Sequence, residues 1–258
     1  MSRFIDRLKQ ASQVVSQPMG FRTAQSVSKP RMLLIASLLQ ADIDGLVDYV
    51  AGADAGLLPI AKLSSGAKML KEIGQAVPDL PWGGWLKSIG RGGIKRIMEV
   101  GCDFVVFPAE MSLKILDDEE VGKILAVEAS LGEGLLRAVG ELPVDAVFIM
   151  SQKEGEHFLT WHQLMLFQRF ADLLTKPLLV PVLSSVAANE LQALWEAGVD
   201  GVVVEVAAGQ PVGRLKELCQ MIDSLTLPLK RKRAKTEALL PYVRGETGIV
   251  TEEEEGEE

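Results

Sequence analysis

Eight apolar runs of strand length recur along the chain, with helix-like patterns between them. They are MLLIASL (from Met32), AGLLPI (Ala55), LPWGGWL (Leu80), FVVFP (Phe104), KILAVE (Lys123), AVFIM (Ala146), PLLVPVL (Pro177) and GVVVEV (Gly201). Their starts are mostly evenly spaced, with one wider gap after the sixth. Ile94–Val100, Leu135–Val139, Leu159–Leu174 and Ala187–Ala197 carry helical patterns in the gaps. Strand alternating with helix implies a parallel sheet. Eight such units predict a single (β/α)8 barrel over residues 32–228. An open doubly wound sheet would usually carry a glycine-rich first turn. Here the first run passes into SLLQADIDG, with no GxGxxG.

A short signature repeats within this rhythm. Gly52-Ala53-Asp54, Gly101-Cys102-Asp103, Pro143-Val144-Asp145 and Gly198-Val199-Asp200 each end in aspartate just before an apolar run. Glycine tolerates the left-handed conformation that closes a helix, and aspartate suits the tight turn that follows. The triplets precede the second, fourth, sixth and eighth runs, so the repeating unit spans two strands. Residues 1–31 read as a helical extension broken at Pro18-Met19-Gly20, placed under the barrel or along an edge. Residues 229–258 read as a basic and then acidic tail, largely disordered, with the apolar stretch ALLPYV inside it.

Composition narrows the functional classes. Hydrophobic residues make up 48% of the 258, charged ones 24%, and no apolar run is long enough for a membrane span. Net charge is −8, but the six glutamates of the closing TEEEEGEE account for all but two of those charges. The body is near neutral and offers no broad basic footprint for nucleic acid. Cys102 and Cys219 are far apart and lack a CxxC partner, so a reducing cytoplasm is the expected compartment.

Barrel chemistry sits at the C-terminal ends of the strands. Those ends carry Ser37, Lys62, Lys87, Glu110, Glu128, Ser151, Ser184 with Ser185, and Glu205. Glu128 and Glu205 lie inside apolar stretches (AVEAS, VVVEVAA). A buried carboxylate needs a cation, a metal or a proton, so these two are the candidate catalytic pair. The fifth and eighth strands would set them across the mouth, flanking a small ligand, with period two turning Ala126 and Val203 the same way. Lys62 and Lys87 are candidates to bind a substrate anion or to pair with the carboxylates. Salt bridging within a solvated rim is the simpler reading of each glutamate alone. Trp82 and Trp85 flank Gly83-Gly84, which suits a bend near a ligand or a kink in a barrel strand.

The stretch KPLLVPVLSSVAANELQALWEAGVDGVVVEVAAGQ, Lys176–Gln210, resembles the phosphate-binding, aldolase-type TIM-barrel superfamily. The resemblance implies backbone amides after the seventh and eighth strands that cradle a phosphate. Two positions depart from it: Ser184-Ser185 stands where a Gly-Gly pair is usual, and Glu205-Val206 where Gly-Ser or Gly-Thr is usual. Ser184, Ser185 and Gly209 remain the residues that would offer such contacts. Flavin mononucleotide, which uses the same cup, is not expected. A divalent metal held by the two carboxylates stays open. The sequence thus predicts a lyase- or isomerase-type enzyme acting on a small anionic metabolite. The alternative is a non-catalytic barrel that binds a ligand or partner. A small-molecule ligand is the expected partner, without nucleic acid or membrane, and a homo-oligomer is left open.

Overall fold

The computed structural model describes residues 2–12, 31–38, 45–87, 93–117, 120–150, 159–206 and 213–227. Eight parallel strands close into a barrel in chain order: β1 (Leu33–Leu38), β2 (Ala55–Ile60), β3 (Trp82–Leu86), β4 (Phe104–Pro108), β5 (Gly122–Glu128), β6 (Ala146–Met150), β7 (Leu178–Val182) and β8 (Gly201–Val206). β8 pairs with β1 and completes the ring. The predicted runs agree with these strands to within two residues at either end.

Helix α1 (Arg3–Ser12) precedes the barrel, and α2 (Leu46–Val50), α3 (Leu63–Ala76), α4 (Gly93–Glu99), α5 (Glu133–Glu141), α6 (Trp161–Leu173), α7 (Ala188–Glu196) and α8 (Arg214–Ser224) surround it. Between β4 and β5 the described residues form a 3-10 turn, Leu113–Asp117, in place of an α-helix. Its Ile115 is buried and covers the sheet there.

Each strand is buried on both faces, which explains the continuous apolar runs. Leu34, Leu58, Val105, Leu125, Val147 and Val204 point outward to the helices. Ile35, Leu57, Val106, Ala126, Phe148 and Val203 fill the interior. α1 closes the N-terminal end of the barrel. Its Phe4, Ile5 and Leu8 join the interior cluster, and the Phe4 ring lies 4.6 Å from that of Phe104. The WGGW stretch has a packing explanation. A Cβ on Gly83 would fall 2.3 Å from the Phe104 ring, and one on Gly84 would fall 2.6 Å from Ile60. β3 gives up two side chains so that large neighbours on both of its faces can fit.

The four aspartates of the repeated triplet do more than turn the chain. The amide of Asp54 donates to Leu34 O (2.7 Å), while its Oδ2 accepts from Leu34 N (2.9 Å). Asp145 does the same to Lys123 (2.7 and 3.0 Å), and Asp200 to Leu178 (2.9 and 2.7 Å). Each aspartate therefore clamps the start of the preceding strand with a two-point bond. Asp103 keeps the first half, donating to Trp82 O at 2.8 Å, but turns its carboxylate to α1. It accepts from Ser2 Oγ (2.7 Å), Arg3 N (2.8 Å) and Phe4 N (2.9 Å). A carboxylate at a helix start satisfies free amides and opposes the positive end of the helix dipole. Gly52, Gly101 and Gly198 take φ of 91°, 95° and 93°, the left-handed closure their sequence predicts.

Candidate functional site

Alternation along the strands defines the innermost layer of the C-terminal mouth. The last inward-facing positions are Ser37, Pro59, Trp85, Pro108, Glu128, Met150, Pro181 and Glu205, one from each strand in turn. All are at least partly exposed, as expected where strands emerge from a filled interior. Register ties neighbours within this layer: Ser37 lies beside Glu205, Pro59 beside Trp85, and Glu128 beside Met150. Trp85 reaches inward to meet Phe148 of β6 edge-on, with centroids 5.2 Å apart. Its indole helps form the floor of the mouth.

Glu128 and Glu205 take the inward-facing orientation that period two predicts, in line with Ala126 and Val203. Their expected burial is overturned. Both side chains are exposed, because each is the last inward position of its strand rather than part of the filled core. No desolvation cost therefore compels either to hold a cation. Glu128 accepts from Ser130 Oγ at 3.0 Å. Among the described residues neither glutamate forms an ion pair. β6 and β7 separate their strands on the shorter way round.

Lys62 follows β2 as the residue before α3, and Lys87 follows β3 directly, so the two lysines rise from adjacent strands. Both are exposed, and among the described residues neither is paired with either glutamate. Ser184 is half-buried and Ser185 exposed, in the turn after β7. Gly209 and Ser151 lie outside the described residues.

Arg214, which the sequence reading passed over, locks this corner. Its Nε donates to Ser184 O (2.6 Å), Nη2 to Val186 O (3.4 Å), and Nη1 to Glu217 (2.9 Å). A cation in the first turn of a helix opposes the helix dipole, and that misfit was the available clue. Arg214 is the first residue of α8, which runs on to Ser224.

Two further polar groups sit away from the mouth. Arg31 bridges Asp54 and Asp223 (2.5 and 2.8 Å) and donates to Cys219 Sγ at 3.0 Å. Burial works against its charge, but the two carboxylates outweigh burial and raise its pKa. Burial also raises the thiol pKa of Cys219, and pushes that of Cys102 up to about 12. Neither thiol is poised as a thiolate nucleophile. Among the described residues no three His, Cys, Asp or Glu side chains gather as a metal site, and no helix is long and apolar enough to cross a membrane.

No family model and no curated protein matches the sequence. Solved structures do match the fold. A mutant tryptophan synthase α-subunit from the hyperthermophile Pyrococcus furiosus superposes with a TM-score of 0.58 at 14% identity, covering 75% of this chain and 97% of that one. Another structure of that subunit gives 0.55 at 12%, covering 75% and 96%. Tryptophan synthase from M. tuberculosis, in its aminoacrylate-bound form, gives 0.54 at 15%, covering 74% and 92%. At such identities the likeness shows a shared fold alone: a closed (β/α)8 barrel, here carrying its own set of mouth residues.

Proposed function

We propose that this barrel is an enzyme of the lyase or isomerase type, acting on a small anionic metabolite at its C-terminal mouth. One observation carries the reading. Glu128 and Glu205 are the two ionisable groups among eight inward-facing mouth positions, and both are exposed and outside any ion pair among the described residues. Carboxylates so placed are available for proton transfer to and from a bound ligand. Lys62 and Lys87, on neighbouring strands, would hold the substrate's negative charge. Ser130 would orient the Glu128 carboxylate through its 3.0 Å bond.

A second reading rests on Trp85 and Met150. Both pack against the interior cluster from the mouth layer and narrow the space above it. A barrel that binds a ligand without transforming it fits that crowding.

A thermal-shift screen with sugar phosphates, carboxylic acids and divalent cations tests the site. The proposal expects at least one anionic compound to stabilise the protein, and Glu205→Gln or Lys87→Ala to abolish that shift without lowering the unliganded midpoint. Turnover of that compound then separates the enzyme from the binding protein. Stabilisation that survives all four substitutions at Glu128, Glu205, Lys62 and Lys87 would place the ligand elsewhere.

A further inference from the structure

Charge is unevenly placed in the mouth. Of its eight inward-facing positions, Glu128 and Glu205 are carboxylates, and none is a lysine, arginine or histidine. Ser37, beside Glu205 in register, is a neutral hydroxyl. Glu110, in the turn after β4, brings a third exposed carboxylate to the rim. The cations stand further out. Lys87 follows Trp85 by two residues, so alternation sets it on the same side, about 7 Å further along the chain. Lys62 rises after β2, the strand paired with β3.

Glu128, Glu205 and Trp85 also divide the ring between them. β3 and β5 are two strands apart, β5 and β8 three, and β8 and β3 three. A ligand in the mouth is therefore met from three sides, by two carboxylates and an indole. Trp85 packs on Phe148 yet is not fully buried.

This ring has the wrong sign for a ligand that is only an anion. At the depth of the two glutamates such a ligand gains no ion pair and meets like charge from two strands. An ammonium at the same depth meets opposite charge on both sides, and an aromatic surface that favours a cation. An acidic group on the same molecule is then matched only further out, where the lysines are.

We infer that the substrate is a small acid that also carries a protonated amine, an assignment that rests on the mouth being the site of reaction. Its ammonium sits between Glu128 and Glu205, and its acidic group faces Lys87 and Lys62. The two glutamates thus select the ligand by charge, and the layered signs fix which end of it enters first.

Two matched sets of probes test this by calorimetric titration. One is phosphoethanolamine, ethanolamine and ethyl phosphate; the other is γ-aminobutyrate, butylamine and butyrate. In at least one set the compound with both charges should bind more tightly than either single-charge match. Glu128→Gln and Glu205→Gln should each weaken that binding about tenfold or more, the worth of a charged hydrogen bond. The same substitutions should strengthen binding of the anion-only match, an opposite sign that general damage to the fold cannot produce. Ethyl phosphate and butyrate binding as tightly as their amine-bearing matches would overturn the inference. If Lys87→Ala then abolished that binding, the mouth would stand as an anion site and the ammonium alone would be wrong. Binding indifferent to all these substitutions, or no binding by any of the six probes, would overturn the inference and count against the mouth as well.

Discussion

Asp200 is the most consequential polar residue of the body. It is fully buried, and its Oδ2 holds the amide of Leu178 at 2.7 Å. Asp200→Ala would leave that amide unsatisfied, and a loss of about 3 kcal/mol is expected in urea unfolding. Asp103→Ala should behave differently, because its carboxylate serves α1 rather than a strand. A cap of this kind is worth about 1–2 kcal/mol, and amide exchange should quicken across Arg3–Ser12 before it does in the strands. The thiols add a dependence on pH. Cys102 ionises near 12 when folded, well above its ordinary value of 9.0, so its contribution is complete below pH 9 and is lost as the pH climbs towards 12. Urea midpoints measured from pH 8 to 11 should fall, and Cys102→Ala should flatten that fall. All four aspartates were visible in the sequence, but only as turn residues. The bond that each makes to another segment has no local signature.

The elements were legible because a parallel barrel writes them plainly. Strands covered on both faces give unbroken apolar runs, and glycines that close helices must recur before them. The three closing glycines nonetheless face different surroundings. At Gly101 a Cβ would meet nothing within 4 Å, whereas at Gly198 it would fall 2.5 Å from the Cβ of Ala171. Gly101→Ala should therefore cost only the left-handed strain, about 1–2 kcal/mol. Gly198→Ala should cost clearly more, since α6 must also shift, and paired urea melts would show the difference. One element and one burial escaped the sequence. The 3-10 turn between β4 and β5 carries too few residues to show a period. The burial of Glu128 and Glu205 was misjudged because an apolar run does not say where its strand leaves the core. Only the closed ring, with all eight strands in register, fixes which position is last.

At the scale of the whole molecule, the two ends of the barrel differ in what fills them. α1 fills the first with Phe4, Ile5 and Leu8, and Asp103 secures it there. At the other end, eight inward positions come together from residues as distant as Ser37 and Glu205, which register sets side by side. That convergence was legible only as a list of strand ends. The Arg214 clamp on Ser184 and Val186 joins the start of α8 to the β7 turn, and sequence alone does not bring those segments together. The proposed function requires that Glu128 and Glu205 act on one ligand in that mouth. A double-mutant cycle tests it directly: calorimetric binding of the stabilising compound to the parent, Glu128→Gln, Glu205→Gln and the double variant. Each single change should weaken binding and the two effects should be coupled, so that the double variant departs from their sum. Unchanged affinity in all three variants would contradict it.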